Sequence, residues 1–150
     1  MHITNVECFP LKITPDQSYL GGKADGKGPD YYYRPEYRCV YSRKMETCLV
    51  KITSSDGHVG WGEALAPVVP QVAAELIKQL FAPLLIGESP FSSGVLNARM
   101  YDSMRDRGHI SGYHIDAIAD VDIALCDLMG QLPGLPLPQP LRVQLRPAVP

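Results

Sequence analysis

The sequence predicts an α+β fold: a three-stranded antiparallel sheet followed by three helices, with an irregular proline-rich tail. Apolar residues alternate with polar ones along residues 46–54, the signature of a half-buried strand. An Asp56-Gly57 turn separates that run from a second apolar stretch at residues 59–64, which reads as a hairpin. After Pro70 the apolar spacing changes to a helical one and stays helical through three stretches.

Residues 3–13 (ITNVECFPLKI) are rich in Ile, Val and Phe and read as a strand, with Pro10 placing it at an edge or bulge. Residues 14–44 carry scattered Gly and Pro and read as one long irregular segment, a length that in a compact domain points to function or disorder. In the strand at 46–54, Cys48, Val50 and Ile52 share one face, with Leu49 the exception on the other. Gly60 and Gly62 in the return strand imply a bend or a close backbone approach. Pro70 opens the first helix, Val72, Ala73, Leu76, Ile77 and Leu80 form its stripe, and Pro83 is expected to stop it. The second helix opens at Ser89-Pro90, and Gly108 stands where a C-terminal glycine belongs. The third runs from about His114 to Met129, with Ser111 available as a cap. Its apolar residues cover most of its circumference, which implies burial on more than one side. Six prolines between residues 132 and 150 exclude regular structure there.

The chain of 150 residues fits one domain, and 45% hydrophobic against 20% charged residues can bury an ordinary core. A net charge of −2 gives no reason to expect nucleic acid or an anionic membrane as partner. No leader pattern and no apolar run of roughly 20 residues occurs, so the expected compartment is the cytoplasm. Cys8, Cys39, Cys48 and Cys126 lack CxxC spacing and read as buried free thiols.

Three segments carry a resemblance when taken in order. They are ETCLVKITSSDGHVGWGEALAP (residues 46–67), FAPLLIGESP (81–90) and AIADVDIALCDLMGQLPGLPL (117–137). Together they resemble the N-terminal capping domain of the enolase superfamily, of the mandelate racemase/muconate lactonizing type. The resemblance covers about residues 2–137. It departs at Cys126, where the family usually has Trp, and it ends near Leu137, where PQPLRVQLRPAVP replaces the expected start of a barrel. The expected organisation is therefore a capping domain over residues 1–131 and an irregular tail over 132–150, cut off before the barrel by truncation, frameshift or choice of fragment.

The resemblance implies Mg²⁺-dependent proton abstraction α to a carboxylate, as in racemases, cycloisomerases and acid-sugar dehydratases. It places the metal ligands and bases in the barrel, which needs about 250 residues. No KxK motif occurs in this chain, so no catalytic and no metal-binding residue carries over, and the chain alone is expected to be inactive. The expected partners are a barrel domain, a small carboxylate substrate and a second copy of the chain. What the family's capping domain supplies is a lid, matched here by residues 15–44 and 61–69. The lid residues expected to contact substrate are Lys23, Tyr31, Tyr32, Arg34 and Tyr37 in the first segment and Trp61 and Leu65 in the second. Six of the eight tyrosines lie between residues 19 and 41, interleaved with Lys and Arg. That lining suits a hydroxylated acid, and it equally suits a packed subunit interface. A stand-alone binding or assembly module, or a split enzyme with its barrel on another polypeptide, are the rival readings.

Other polar groups read as structural. His109, His114, Asp116 and Asp120 match no strong metal spacing and fit helix initiation. Asp122 and Asp127, inside an apolar helix, are expected to pair, with Arg99 or Arg105 as candidates, and Glu63 to find a backbone or arginine partner.

Overall fold

The structure, a computed structural model, describes residues 1–15 and 28–131. Lys23 and the proline-rich tail lie outside the described residues. Three strands form the main sheet: β1 (Ile3–Ile13), then β4 (Met45–Ser54) and β5 (Val59–Ala64), antiparallel in the order β1-β4-β5. β1 is an edge strand, as Pro10 requires, because its missing N–H then costs no ladder bond. Between β1 and β4 lies a second, two-stranded sheet, β2 (Tyr31–Arg34) paired with β3 (Cys39–Ser42). The segment 14–44 is therefore not irregular throughout. The Tyr triplet and Cys-Val-Tyr are strong strand formers, hidden by the surrounding Gly and Pro.

The β4–β5 hairpin is present, but its turn differs from the expected two-residue form. Ser54 N–H bonds His58 O at 2.9 Å, leaving three residues in the loop, and of these only Gly57 is left-handed (φ 83°). Only one position with φ > 0 is needed in such a loop.

The helical layer begins with α1 (Gln71–Leu76), runs through a π-turn (Ile77–Phe81) and continues as α2 (Ala82–Leu85). Pro83 does not stop this run. The π-turn lets Ala82 N–H reach back five residues to Ile77 O, and Pro83 falls in the first turn of α2, where an N–H is dispensable. A 3₁₀ turn (Pro90–Ser92) leads into α3 (Ser93–Arg105), and α4 (Tyr113–Gly130) follows. Gly108 is left-handed (φ 85°) after α3, as a C-terminal glycine should be. Ser111 does not cap α4; Gly112 occupies that position, with no side-chain cap bond.

The helices cover one face of the main sheet. The core between them holds Val50 and Ile52 of β4, Ile77 and Phe81 of the first helical run, Leu96 and Met100 of α3, and Val121, Leu125 and Leu128 of α4. α4 lies almost on the backbone of β5. A Cβ on Gly60 would stand 2.1 Å from Ala124 O, and one on Gly62 would stand 2.0 Å from Asp120 O. The two glycines thus exist for the close approach that their spacing implies. The other face of the sheet has no layer over it among the described residues. Strand register puts Phe9, Leu49 and Glu63 side by side on it, with Glu7, Lys51 and Trp61 one step along. Phe9 and Trp61 remain exposed there.

Two polar expectations are corrected. Arg99 pairs with Glu88 and Arg105 with Asp102 and Asp106, whereas Asp127 accepts the Trp61 N–H (2.9 Å) and the Gln131 side-chain amide (3.1 Å). Asp127 therefore ties the end of α4 to β5. Glu63 takes the Thr47 hydroxyl (2.8 Å), its neighbour across the strand pair. Of the cysteines, Cys48 is buried, Cys8 and Cys126 are half-buried, and Cys39 is exposed on β3 rather than in the core.

Candidate functional site

Antiparallel pairing brings Ile13, the end of β1, opposite Met45, the start of β4, and puts Cys48 opposite Ala64 at the end of β5. One end of the sheet therefore carries the exit from β1, the entry to β4 and the exit from β5. Both segments that the sequence suggests as lids leave the domain at this end. A cleft of about 600 Å³ opens there, lined by Ile13, Met45, Glu46, Thr47, Glu63, Ala64, Leu65 and Ile123.

The centre of this region is a residue that the sequence pattern alone does not single out. Glu46 lies in the inward register shared with Cys48, Val50 and Ile52, and its side chain is fully buried. A buried carboxylate needs charge and hydrogen-bond partners. Glu46 has them from four places. Oε1 accepts the Ser42 hydroxyl at 2.5 Å, with the Lys12 ammonium 3.7 Å away. Oε2 accepts the Tyr31 hydroxyl at 2.9 Å and the Val69 N–H at 3.0 Å. The Tyr31 hydroxyl also accepts from Lys12 Nζ (2.7 Å) and from Val69 N–H (3.2 Å), which uses its full donor and acceptor capacity. The hydrogen bond to Tyr31, together with the Glu46 charge, holds the Lys12 ammonium above its ordinary pKa. The signal for Glu46 lies in the alternation: a carboxylate on the apolar side of a strand must be paired.

Val69 sits at φ 52°, a left-handed conformation that costs a β-branched residue about 1–2 kcal/mol. Such strain persists only where the surroundings fix the backbone. Here Glu46 and Tyr31 hold the Val69 N–H, and the Tyr113 hydroxyl at the start of α4 donates to Val68 O at 2.6 Å.

The remaining lid candidates form two groups. Tyr32, Tyr41, Tyr37 and Arg34 make a stack on the β2–β3 hairpin. Tyr32 and Tyr41 are 6.4 Å apart, Tyr41 and Tyr37 5.9 Å, and the Arg34 guanidinium lies 5.1 Å from the Tyr37 ring. Arg43 closes the other end over Tyr32 at 4.9 Å. These are ordinary aromatic and cation–π distances, so the stack shapes the hairpin from its own side chains. Trp61 packs on Phe9 (5.8 Å) on the open sheet face, and Leu65 lines the cleft, 78% exposed. The structure brings Tyr31 to the Glu46 cluster and joins Tyr32, Arg34 and Tyr37; Trp61 lies within β5 and Leu65 just past its end.

Two buried polar residues lie elsewhere. Asp120 of α4 is fully buried against Gly62, with neither carboxyl oxygen hydrogen-bonded among the described residues. Burial pushes its pKa up to about 7, with the Glu63 charge adding to the rise and the nearby Val50 backbone and Cys48 thiol drawing it down. Burial and the neighbouring Asp120 raise the Cys48 thiol to about 12, and burial does the same to Cys8. His114 is buried edge-on to Phe81 at 5.4 Å. Among the described residues no group of three or more His, Cys, Asp or Glu is placed to hold a metal ion, and no helix is long and apolar enough to cross a membrane.

Comparison with known proteins bears directly on this arrangement. The family model described as mandelate racemase/muconate lactonizing enzyme, N-terminal domain, matches residues 36–141. A D-galactarolactone cycloisomerase of Agrobacterium fabrum is 39% identical over 83 residues, covering 55% of this chain and 21% of that protein. A D-galactonate dehydratase family member of a Paenibacillus species is 37% identical over 120 residues, 75% of this chain and 28% of its own length. Among solved structures, a candidate isomerase from Sinorhizobium meliloti superposes with a TM-score of 0.86 at 38% identity, covering 97% of this chain and 38% of its own. The chain thus spans well under half the length of each of these proteins.

Proposed function

The chain belongs to the mandelate racemase/muconate lactonizing enzyme N-terminal domain family, and from that premise we propose that it is the capping half of an active site for hydroxylated carboxylic acids. Residues 1–131 form the cap. The barrel, on the same or another polypeptide, carries the bases and the metal. The cap closes the barrel mouth, excludes water and touches the distal part of the substrate. The observation that carries this reading is topological: both candidate lid segments leave the same end of the sheet, where one cleft opens between the strand ends Ile13 and Met45 and residues 63–65.

The proposed substrate class is supported by the relatives, a galactarolactone cycloisomerase and a galactonate dehydratase family member, and by the phenol and guanidinium groups of the candidate lid. In such reactions a proton α to a carboxylate is removed, and a divalent ion supplies the positive charge that stabilises the enediolate. A hard cation needs several converging oxygens. Among the described residues no three His, Cys, Asp or Glu converge to meet that need, and of the two buried carboxylates Glu46 already accepts three hydrogen bonds and Asp120 is enclosed. No step of the reaction is assigned to this chain's carboxylates. Leu65 offers apolar surface at the cleft, and Tyr32, Arg34 and Tyr37 of the hairpin offer hydroxyl and cationic groups.

The exposed row at Phe9 and Trp61 favours a second contribution, assembly of copies through the open sheet face. Sedimentation of the chain at several concentrations tests it; a mass of one chain throughout removes it. The lid reading is tested by following loss of the α-proton signal of galactonate in D₂O with Mg²⁺. The chain alone is expected to exchange none. Exchange by the chain alone would place the chemistry in these residues and contradict the reading.

A further inference from the structure

We propose that Glu46 is the positioning residue of the lid: its buried carboxylate ties the β2–β3 hairpin and the segment after β5 into one body, so that neither opens without the other. This deepens the capping reading and rests on it for its functional meaning.

The four groups around the carboxylate come from four stretches of chain. Lys12 belongs to β1, Tyr31 to β2, Ser42 to β3, and the Val69 N–H to the segment that leads from β5 into α1. Two of them, Tyr31 and Ser42, anchor the first lid segment at both of its strands. The third anchors the second lid segment at its left-handed residue. Tyr31 and Val69 share Oε2 and also bond each other, so a movement of either disturbs both contacts. Lifting the hairpin would leave a buried anion short of two hydroxyl donors and Val69 without its Tyr31 acceptor. Lifting the second segment would take the Val69 N–H from that anion and release a strained residue. An unpaired buried charge costs far more than a displaced surface contact, so intermediate states with one segment open are disfavoured. The surface offered to a substrate is then a single shape made by both segments. A change in either one is felt by the other.

Hydrogen exchange of the 150-residue chain, read by mass spectrometry, tests this with no substrate present. Tyr113→Phe removes the hydroxyl that holds Val68 and leaves the Glu46 cluster untouched. It is expected to speed exchange several-fold in peptides from residues 65–70 and, through Glu46, in peptides from residues 30–44 as well. Glu46→Gln is expected to speed both regions about tenfold or more while the amides of β4 around Val50 and of α4 keep their protection. In the Glu46→Gln background, Tyr113→Phe is expected to act on residues 65–70 alone. Independent responses of the two regions in the Tyr113→Phe protein would overturn the proposal, even if Glu46→Gln does not fold. Equal loss of protection throughout β4 and α4 on Glu46→Gln would also overturn it, by making Glu46 a general core residue. Failure of the capping reading looks different. Exchange would stay coupled, yet lid substitutions would leave the substrate preference of a cap–barrel hybrid unchanged.

Discussion

Where β5 meets α4, the contact is made by leaving atoms out: Gly60 and Gly62 let two backbones close to a distance no side chain permits. Where the two candidate lid segments meet the sheet, the contact is made by a charged group that gathers hydroxyl, ammonium and amide donors. The first interface is broad and rests on close packing, with Asp120 enclosed in it and one hydrogen bond, Trp61 N–H to Asp127, at its edge. The second is narrow and directional, and it holds a backbone conformation that the chain would otherwise avoid. A rigid scaffold with a keyed, separable edge is what a lid requires, since low-stability elements supply the motions of binding sites.

The scaffold side should break hardest. Gly62→Ala, and separately Gly60→Ala, force a Cβ against carbonyl oxygens of α4, an obstacle that cannot rotate away. Overpacking typically costs about 1–3 kcal/mol, and we expect about 3 kcal/mol or more here, read by urea denaturation. A loss below about 1 kcal/mol would mean that α4 does not sit this close.

Asp120 sharpens the contrast, because it is a carboxylate on the scaffold side without, among the described residues, the hydrogen-bond partners that Glu46 has. Its folded pKa of about 7 lies above the ordinary 3.8. Between those values the folded state holds a proton that the unfolded chain has released. Stability contributed by this group is therefore fully present below about pH 4, falls as pH rises toward 7, and is flat above. Asp120→Asn should remove that slope and stabilise the protein at pH 8 by about 2–3 kcal/mol, each tenfold change in proton affinity being worth roughly 1.4 kcal/mol at most. Parallel pH–stability curves for the two proteins would show that Asp120 is solvated or paired.

How far the sequence reached follows the same division. The strands, their hairpin and the close approach at Gly60 and Gly62 were legible because they depend on period and on one residue type. Pro83 misled because its effect depends on the π-turn preceding it, which no local pattern announces. The β2–β3 hairpin was masked by Gly and Pro on its flanks. At the candidate site, the two segments that leave one end of the sheet could be named from the sequence, and the residue that joins them could not. Glu46 gathers groups from positions 12, 31, 42 and 69, a convergence set by folding rather than by spacing.

Smaller effects should appear on the lid side. Val69→Gly trades relief of left-handed strain against the greater freedom of glycine in the unfolded chain, and the net gain should not exceed about 1 kcal/mol in the melting curve. A loss beyond that size would mean the valine side chain is itself a packing element. With no stability change at all, iodoacetamide at about pH 8 should label Cys39 first and leave Cys8 and Cys48 slow, since burial raises both thiols to about 12. Peptide mass mapping reads the order, and early labelling of Cys48 would contradict the packing of the sheet on α4.

The division of labour between cap and barrel is most directly measured in a hybrid enzyme. Residues 1–131 of this chain would replace the matching part of the Agrobacterium fabrum cycloisomerase, and kcat/KM would be compared across several hydroxylated acids and their lactones. The expected result is a hybrid that still turns over, with a changed order of substrate preference that Leu65→Ala and Arg34→Ala shift again mainly through KM. A hybrid whose preferences match the parent's and ignore these substitutions would contradict the assignment of these residues to a substrate lid.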